Sequence, residues 1–268
     1  MSVRRVAIAG LGTVGLKVVE ALDAGIEGCE LAAVSANDKA RAAHRLPARL
    51  AGTPVVDIKD LEPLADIVIE SAPSNLLPDI CIPFLEAGKI AIVLSVGALL
   101  EHPELVETAK KNGGQIIVPS GALLGLDAVS AAAEGEIKSV RMVTRKPVKG
   151  LQGAPFLTQN RISISDIEKP LLLFSGSPRE AIKGFPANLN VAVALSLAGI
   201  GPDRTTLEIW ADPGIDRNTH RIEVESDSAR FSMSIENIPT ENPKTGRITA
   251  LSVIASLRKI GAPLRVGT

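Results

Sequence analysis

The stretch that most constrains this chain is Arg5-Val6-Ala7-Ile8-Ala9-Gly10-Leu11-Gly12-Thr13-Val14-Gly15, followed by the amphipathic Leu16-Lys17-Val18-Val19-Glu20-Ala21-Leu22. An apolar run, a GxGxxG and a helical pattern in that order read as strand, tight turn and helix. Gly10 makes the turn, Gly12 lets backbone approach a pyrophosphate, and Gly15 lets the helix sit close on the strand. The N–H groups at the helix start, around Thr13 and Val14, then face the phosphates together with the positive end of the helix dipole. The plainer alternative is a glycine-rich turn that packs a βα unit and binds nothing. Because the motif follows a strand and starts a helix, a dinucleotide site for NAD or NADP is the reading carried forward.

Composition narrows the partner. The 268 residues are enough for two domains and a substantial core. At 46% apolar residues the chain is not a disordered one. A net charge of −1 leaves no electrostatic footprint for nucleic acid or an anionic membrane. With no Tyr, one Trp and five Phe there is little aromatic surface for stacking bases, so a small molecule is the expected partner. Cys29 and Cys81 lie far apart without a CxxC, as expected for buried thiols in a reduced cytoplasm. Three histidines without HExxH or paired-Cys spacing give no expectation of a metal. No apolar run reaches the roughly 18 residues of a membrane span. The first strand starts within a few residues of Met1, so no signal peptide is expected.

Along the chain, strands alternate with helices: Glu30 to Ser35, Asp66 to Glu70, Lys89 to Leu94 and Gln115 to Val118 read as strands. Between them lie a helix broken by Pro78 and Pro83 and another over Pro103 to Lys111. This is the pattern of a Rossmann-type, doubly wound parallel sheet, an α/β fold whose ligands bind beyond the carboxyl ends of the strands. Ser71-Ala72-Pro73, Ser95-Val96-Gly97-Ala98 and 119–122 are therefore expected near the cofactor. The second strand ends in Asn37-Asp38, where such folds commonly place an acid on the adenosine ribose. Asn37 sits closest to that place, which leaves NAD against NADP open. Lys39 and Arg41 are either solvated or meet a 2′-phosphate.

After Val118 the pattern changes to an alanine-rich helix ending near Gly135 and a long strand, Ile137 to Lys146. A polar connection from Pro147 to about Asn160, a short helix at Pro178 to Lys183 and a longer apolar one through Leu197 follow. Three strands come next, Thr205 to Ala211, Thr219 to Glu225 and Ala229 to Ile235, then a turn, Glu241-Asn242-Pro243-Lys244-Thr245-Gly246. These predict a second, α+β catalytic domain with a mixed or antiparallel sheet. The last helix, Arg247 to Lys259, presents Ile248, Leu251, Ile254, Ala255 and Leu257 and is expected to pack back on the first domain. The division is then 1–118 plus 239–268 for the dinucleotide and 119–238 for substrate and dimerisation.

Period-2 alternation puts His220 on the face of Ile222 and Val224 at the start of a strand, just after a polar loop. An imidazole there is either a general base or a hydrogen-bonded core residue. His44 and His102 read as surface or capping residues. Arg145, Lys146 and Lys183 are either solvated ends or partners for a substrate carboxylate. Asn188 is a helix N-cap or a contact to the nicotinamide or its ribose, and Asn190 stands beside it.

Several of these segments together resemble the L-aspartate dehydrogenase family: the glycine loop, Ser95-Val96-Gly97-Ala98-Leu99, Pro119-Ser120-Gly121-Ala122, Thr144-Arg145-Lys146-Pro147, Phe185-Pro186-Ala187-Asn188-Leu189-Asn190, Asn218-Thr219-His220 and Glu241 to Gly246. The resemblance covers nearly the whole chain. It implies a homodimer that oxidises L-aspartate with NAD or NADP to iminoaspartate. The imine hydrolyses to oxaloacetate and ammonia, or feeds NAD biosynthesis. It implies His220 as the catalytic histidine, and nicotinamide-side contacts from Ala122 and from Asn188 or Asn190. Leu124 departs from the family's usual glycine after the Ser-Gly-Ala turn. The competing readings are a homoserine-dehydrogenase-like or dihydrodipicolinate-reductase-like oxidoreductase, and a regulator that binds NAD(H) without turnover. Two substrate carboxylates require cations, for which Lys183, Arg145 and Lys244 stand unranked.

Overall fold

Six short strands near the head of the chain form one sheet: β1 (Arg4–Ala9), β2 (Cys29–Ser35), β3 (Val55–Val56), β4 (Ile67–Glu70), β5 (Ile90–Val93) and β6 (Gln115–Ile117). In the computed structural model, which describes residues 3–240 and 246–267, their order is β3-β2-β1-β4-β5-β6. Every pair is parallel. The winding reverses between β1 and β4, the switch point at which such sheets bind ligands. The crossovers carry α1 (Thr13–Ala24), α2 (Lys39–His44), α3 (Leu77–Glu86) and α4 (Glu104–Asn112). Val6, Ile8, Val18, Val19, Ile67 and Ile69 join one buried core. The chain divides into two compact units, Met1–Gly121 with Thr249–Arg265, and Ala122–Ile248 with Val266–Thr268.

Two helices differ from expectation. The prolines do not break α3: Pro78 lies in its first turn, where its missing N–H has no partner to lose, and Pro83 removes one interior bond. Burial of Leu77, Ile80, Cys81, Phe84 and Leu85 holds the helix across that gap. The last helix, Arg247–Gly261, buries Ala250, Val253 and Leu257, while Ile248 and Leu251 stay 39% and 53% exposed. The stripe is thus rotated from the one predicted, because the small side chains of Ala250 and Val253 take the closest positions. Val253 and Leu257 enter the same core as β1 and α1.

The second unit holds a five-stranded mixed sheet: β7 (Ile137–Lys146), β8 (Leu171–Gly176), β9 (Thr206–Ala211), β10 (Asn218–Ser226) and β11 (Arg230–Asn237), in the order β11-β10-β7-β9-β8. Only β7 and β9 run parallel. Its inner face is Val140, Met142, Leu207, Ile209, Ile222 and Val224, all buried. The helices are α5 (Leu126–Ala133), α6 (Val148–Leu151), α7 (Pro155–Gln159), α8 (Pro178–Ala181) and α9 (Asn190–Ala198). The expected polar connection after Pro147 is therefore two short helices, anchored by buried Leu151, Ala154 and Leu157. The sequence reading missed β8 because a register shift between Leu172 and Phe174 breaks its alternation. Phe156, Phe174 and Phe185 meet in a ring cluster beneath it. Among the described residues no helix is long and apolar enough to cross a membrane.

Candidate functional site

In the first unit the glycine loop meets the end of β4. Gly10 has φ +96°, and a Cβ there would stand 2.5 Å from the Ser71 carbonyl oxygen. Gly15 lies against the Gly10 carbonyl so closely that any side chain would collide with it. Gly12 differs, since among the described residues no atom lies within 4 Å of where its Cβ would be. The start of α1 has no side-chain cap, so the N–H groups around Thr13 and Val14 have none of the usual side-chain acceptors. A pocket of about 420 Å³ opens at this point and brings together Gly10, Gly12, Asn37, Asp38 and the 71–73 segment. Room at Gly12 and an uncapped helix start in front of it fit a pyrophosphate.

Some predicted contacts turn out to be structural at the side chain. The Ser71 hydroxyl donates to the Gly10 carbonyl at 2.8 Å. Ser95 donates its hydroxyl to Glu70 Oε1 at 2.9 Å and its N–H to Glu70 Oε2 at 2.8 Å. Leu94 N–H adds a third bond to that carboxylate, at 3.0 Å. Ser95 and buried Val96 are thus fixed at the end of β5 through Glu70. Burial pushes the Glu70 carboxyl up, opposed by these hydrogen bonds. Glu70 was read only as a strand end; its signal was a charge closing an otherwise apolar strand. Asp38 caps α2, accepting from Arg41 N–H at 2.9 Å. Lys39 pairs with Asp57 at 2.7 Å.

In the second unit one end of the inner sheet face turns polar. His220 is 2% exposed and shares a 2.6 Å hydrogen bond from Nδ1 to Thr144 Oγ1, its cross-strand partner. Lys146, two residues on from Thr144, is 5% exposed. Asn218, two residues before His220, lies opposite Asn237 of β11. The side-chain oxygens of Asn188, Asn218 and Asn237 are buried and have no hydrogen-bond partner among the described residues. Asn237 donates through Nδ2 to the Ala122 carbonyl at 2.9 Å. Orphaned amide oxygens are costly and call for a donor that the described residues do not supply.

The environment of His220 sets its charge. Desolvation, with the positive charge of Lys146 second, lowers its pKa from 6.5 to about 3. The buried imidazole is therefore neutral across physiological pH.

Other predicted residues lie elsewhere or differ in detail. Asn188 is no N-cap: it ends a short turn, Pro186–Asn188, and Leu189 precedes α9 without a side-chain cap. Asn190 is the first residue of α9. Arg145 points to the opposite sheet face from His220, pairs with Asp212 at 3.1 Å and sits over Trp210. Lys183 is exposed, and Lys244 with most of its turn lies outside the described residues. Where Leu124 departs from the family pattern, the close approach belongs to the next residue, Gly125, at φ +66° against Met233. His44 is exposed, and His102 bonds Glu104 at 2.7 Å on the surface. Of the cations weighed for a substrate carboxylate, Lys146 is the one on the His220 face, while Asn237 was missed, although crossing from β10 to β11 at Asn218 reaches it.

A glycine loop at the switch point of a 3-2-1-4-5-6 parallel sheet, joined in one chain to a sheet with a buried polar end, defines a nicotinamide-dinucleotide-dependent dehydrogenase. Residues 10–119 match the NAD binding domain of homoserine dehydrogenase, and 127–260 match the C-terminal region of aspartate dehydrogenase. The chain belongs to the L-aspartate dehydrogenase family. It is 61% identical to the L-aspartate dehydrogenase of Bradyrhizobium diazoefficiens over 98% of this chain and 94% of that one. It is 40% identical to that of Methanosarcina mazei over 98% and 99%. The crystal structure of aspartate dehydrogenase from Thermotoga maritima shares the fold, with a TM-score of 0.74 at 24% identity over 98% and 99% of the two chains.

Proposed function

We propose that this chain oxidises L-aspartate reversibly with NAD+ or NADP+ to iminoaspartate, which hydrolyses to oxaloacetate and ammonia. The observation that carries the reading is the buried polar end of the β7–β10–β11 sheet face, with His220, Thr144 and Lys146 together. The glycine loop, the N–H groups of Thr13 and Val14, and the 37–38 and 71–73 segments hold the dinucleotide. Ser95-Val96, Ala122, Asn188 and Asn190 serve its nicotinamide side. When bound, the oxidised nicotinamide supplies the hydride acceptor for Cα of the substrate.

The chain's own residues handle protons and charge. In the tautomer that this reading requires, Nδ1–H donates to Thr144 Oγ1, 2.6 Å away, and the Nε2 lone pair of His220 is the base. Nε2 takes a proton from the substrate ammonium, so that the neutral amine can donate electrons as the Cα–H bond breaks. Lys146 faces one substrate carboxylate, a role for which Arg145 is turned the wrong way. That carboxylate offsets the charge of Lys146 and makes protonation of His220 less costly. His220 first gives the ammonium's proton up to solvent. In the second half-reaction it removes a proton from water as the oxygen bonds to Cα and the C=N π pair moves onto nitrogen. It returns this proton to the amine of the carbinolamine, and takes the hydroxyl proton as C=O forms, the C–N bond breaks and ammonia leaves. The orphaned amide oxygens of Asn188, Asn218 and Asn237 accept from N–H donors of the bound molecules.

The family resemblance supports a homodimer, a cytoplasmic setting and a supply of iminoaspartate to NAD biosynthesis. Light scattering on the purified protein tests the dimer through its mass, since one chain is 28.0 kDa. Initial rates of nicotinamide reduction test the reaction, with L-aspartate, homoserine and a panel of other amino acids, each with NAD+ and NADP+. Turnover with L-aspartate alone is expected. Turnover with homoserine and none with aspartate would overturn the reading.

A further inference from the structure

We infer that Arg41 and Arg45 form a 2′-phosphate site, so that this chain takes NADP(H) in preference to NAD(H); the inference rests on the dinucleotide reading of the glycine loop. Both arginines line the pocket that contains Gly10, Gly12, Asn37 and Asp38. In sheets of this order the residue at the end of β2 decides how the adenosine ribose is read: an acid accepts from the 2′- and 3′-hydroxyls and repels a phosphate. Here that place holds Asn37, which is neutral. The neighbouring carboxylate of Asp38 is engaged by its own helix, where it accepts from Arg41 N–H at 2.9 Å. Cations replace the acid. Arg45 is tethered to the glycine loop, donating from Nη1 to the Leu11 carbonyl at 2.8 Å. A guanidinium carries five N–H donors, so one tether orients the group and leaves most of its donors available. Arg41 lies one turn earlier on the same side of the chain and opens into the same pocket. The third cation of the segment is accounted for, since Lys39 is held by Asp57 at 2.7 Å. Two planar cations in the pocket of a ribose edge whose strand-end residue, Asn37, is neutral match a phosphate dianion in charge and geometry.

Calorimetric titration of the full chain tests this without turnover, using adenosine 2′,5′-bisphosphate against 5′-AMP, and NADP+ against NAD+. The wild type is expected to bind each 2′-phosphorylated ligand at least about tenfold more tightly than its partner, a difference of about 1.4 kcal/mol. That ratio should shrink as ionic strength rises. Arg41 is exposed, so R41A keeps the fold and should cut the ratio several-fold; R41A/R45A should abolish it. Asn37→Asp, which restores the acid, should invert it. If NAD+ binds, but the 2′-phosphate adds nothing or R41A and R45A weaken both members of each pair equally, the inference is wrong and the dinucleotide site stands. If no ligand of the four binds, both fail together.

Discussion

His220 Nδ1 and Thr144 Oγ1 lie 2.6 Å apart on facing positions of β10 and β7, buried at the polar end of a sheet face whose remainder is apolar. A hydrogen bond to a group that becomes charged contributes about 1.5–3 kcal/mol. Thr144→Val keeps the shape and removes the bond, so kcat should fall by roughly tenfold to a hundredfold. Cofactor affinity should hardly change. A variant with full kcat would show that the imidazole needs no such orientation.

The depressed pKa of His220 makes stability depend on pH. Its folded value of about 3 lies below the unfolded 6.5, so between these limits the unfolded chain binds a proton that the folded chain does not. The stabilising contribution is complete above the unfolded value. It is lost on acidification at about 1.4 kcal/mol per pH unit. Chemical denaturation of wild type and His220→Asn from neutral pH into acid should therefore show the wild type losing stability faster. A constant gap between the two curves would mean that His220 is not held neutral.

Lys146 carries two linked predictions. Lys146→Met should raise the KM for L-aspartate by roughly thirtyfold, as expected for loss of about 2 kcal/mol from a buried charge contact. It should also raise the pKa of His220, because the charge that helps to lower it is gone. Titration of the imidazole by NMR reads the second effect independently of turnover. An unmoved imidazole together with an unmoved KM would remove Lys146 from the site.

Two glycines in one loop should respond in opposite ways. At Gly15 a methyl group would run into the Gly10 carbonyl, so Gly15→Ala should lower the melting temperature sharply. At Gly12 there is open space, so Gly12→Ala should melt near the wild type yet bind dinucleotide more weakly. Thermal melts with and without cofactor separate the two.

Glu70→Ala leaves the N–H groups of Leu94 and Ser95 without their acceptor. Each orphaned buried donor costs roughly 1–3 kcal/mol. A melt that matches the wild type would mean that water replaces the carboxylate at no cost.

The parallel sheet was legible because its strands are short, dry and separated by helices of ordinary length. The placing of His220 was legible from alternation with Ile222 and Val224. What was not legible depends on partners distant in sequence. Glu70 is a strand-end carboxylate until Leu94 and Ser95 are seen donating to it. Asn237 joins Asn218 only through the β10–β11 register. Arg45 looks like a solvated helix end until its bond to the Leu11 carbonyl ties it to the glycine loop. The low pKa of His220 is likewise a product of burial, which no spacing rule reports.

The central claim is that His220 is the proton-transfer group for L-aspartate oxidation and takes no part in holding the dinucleotide. The most direct measurement is kcat for L-aspartate in His220→Ala, alongside the dissociation constant of the cofactor in the same preparation. A loss of roughly 10²–10⁴-fold in kcat with cofactor binding unchanged is the predicted result. Wild-type turnover in that variant would contradict the account.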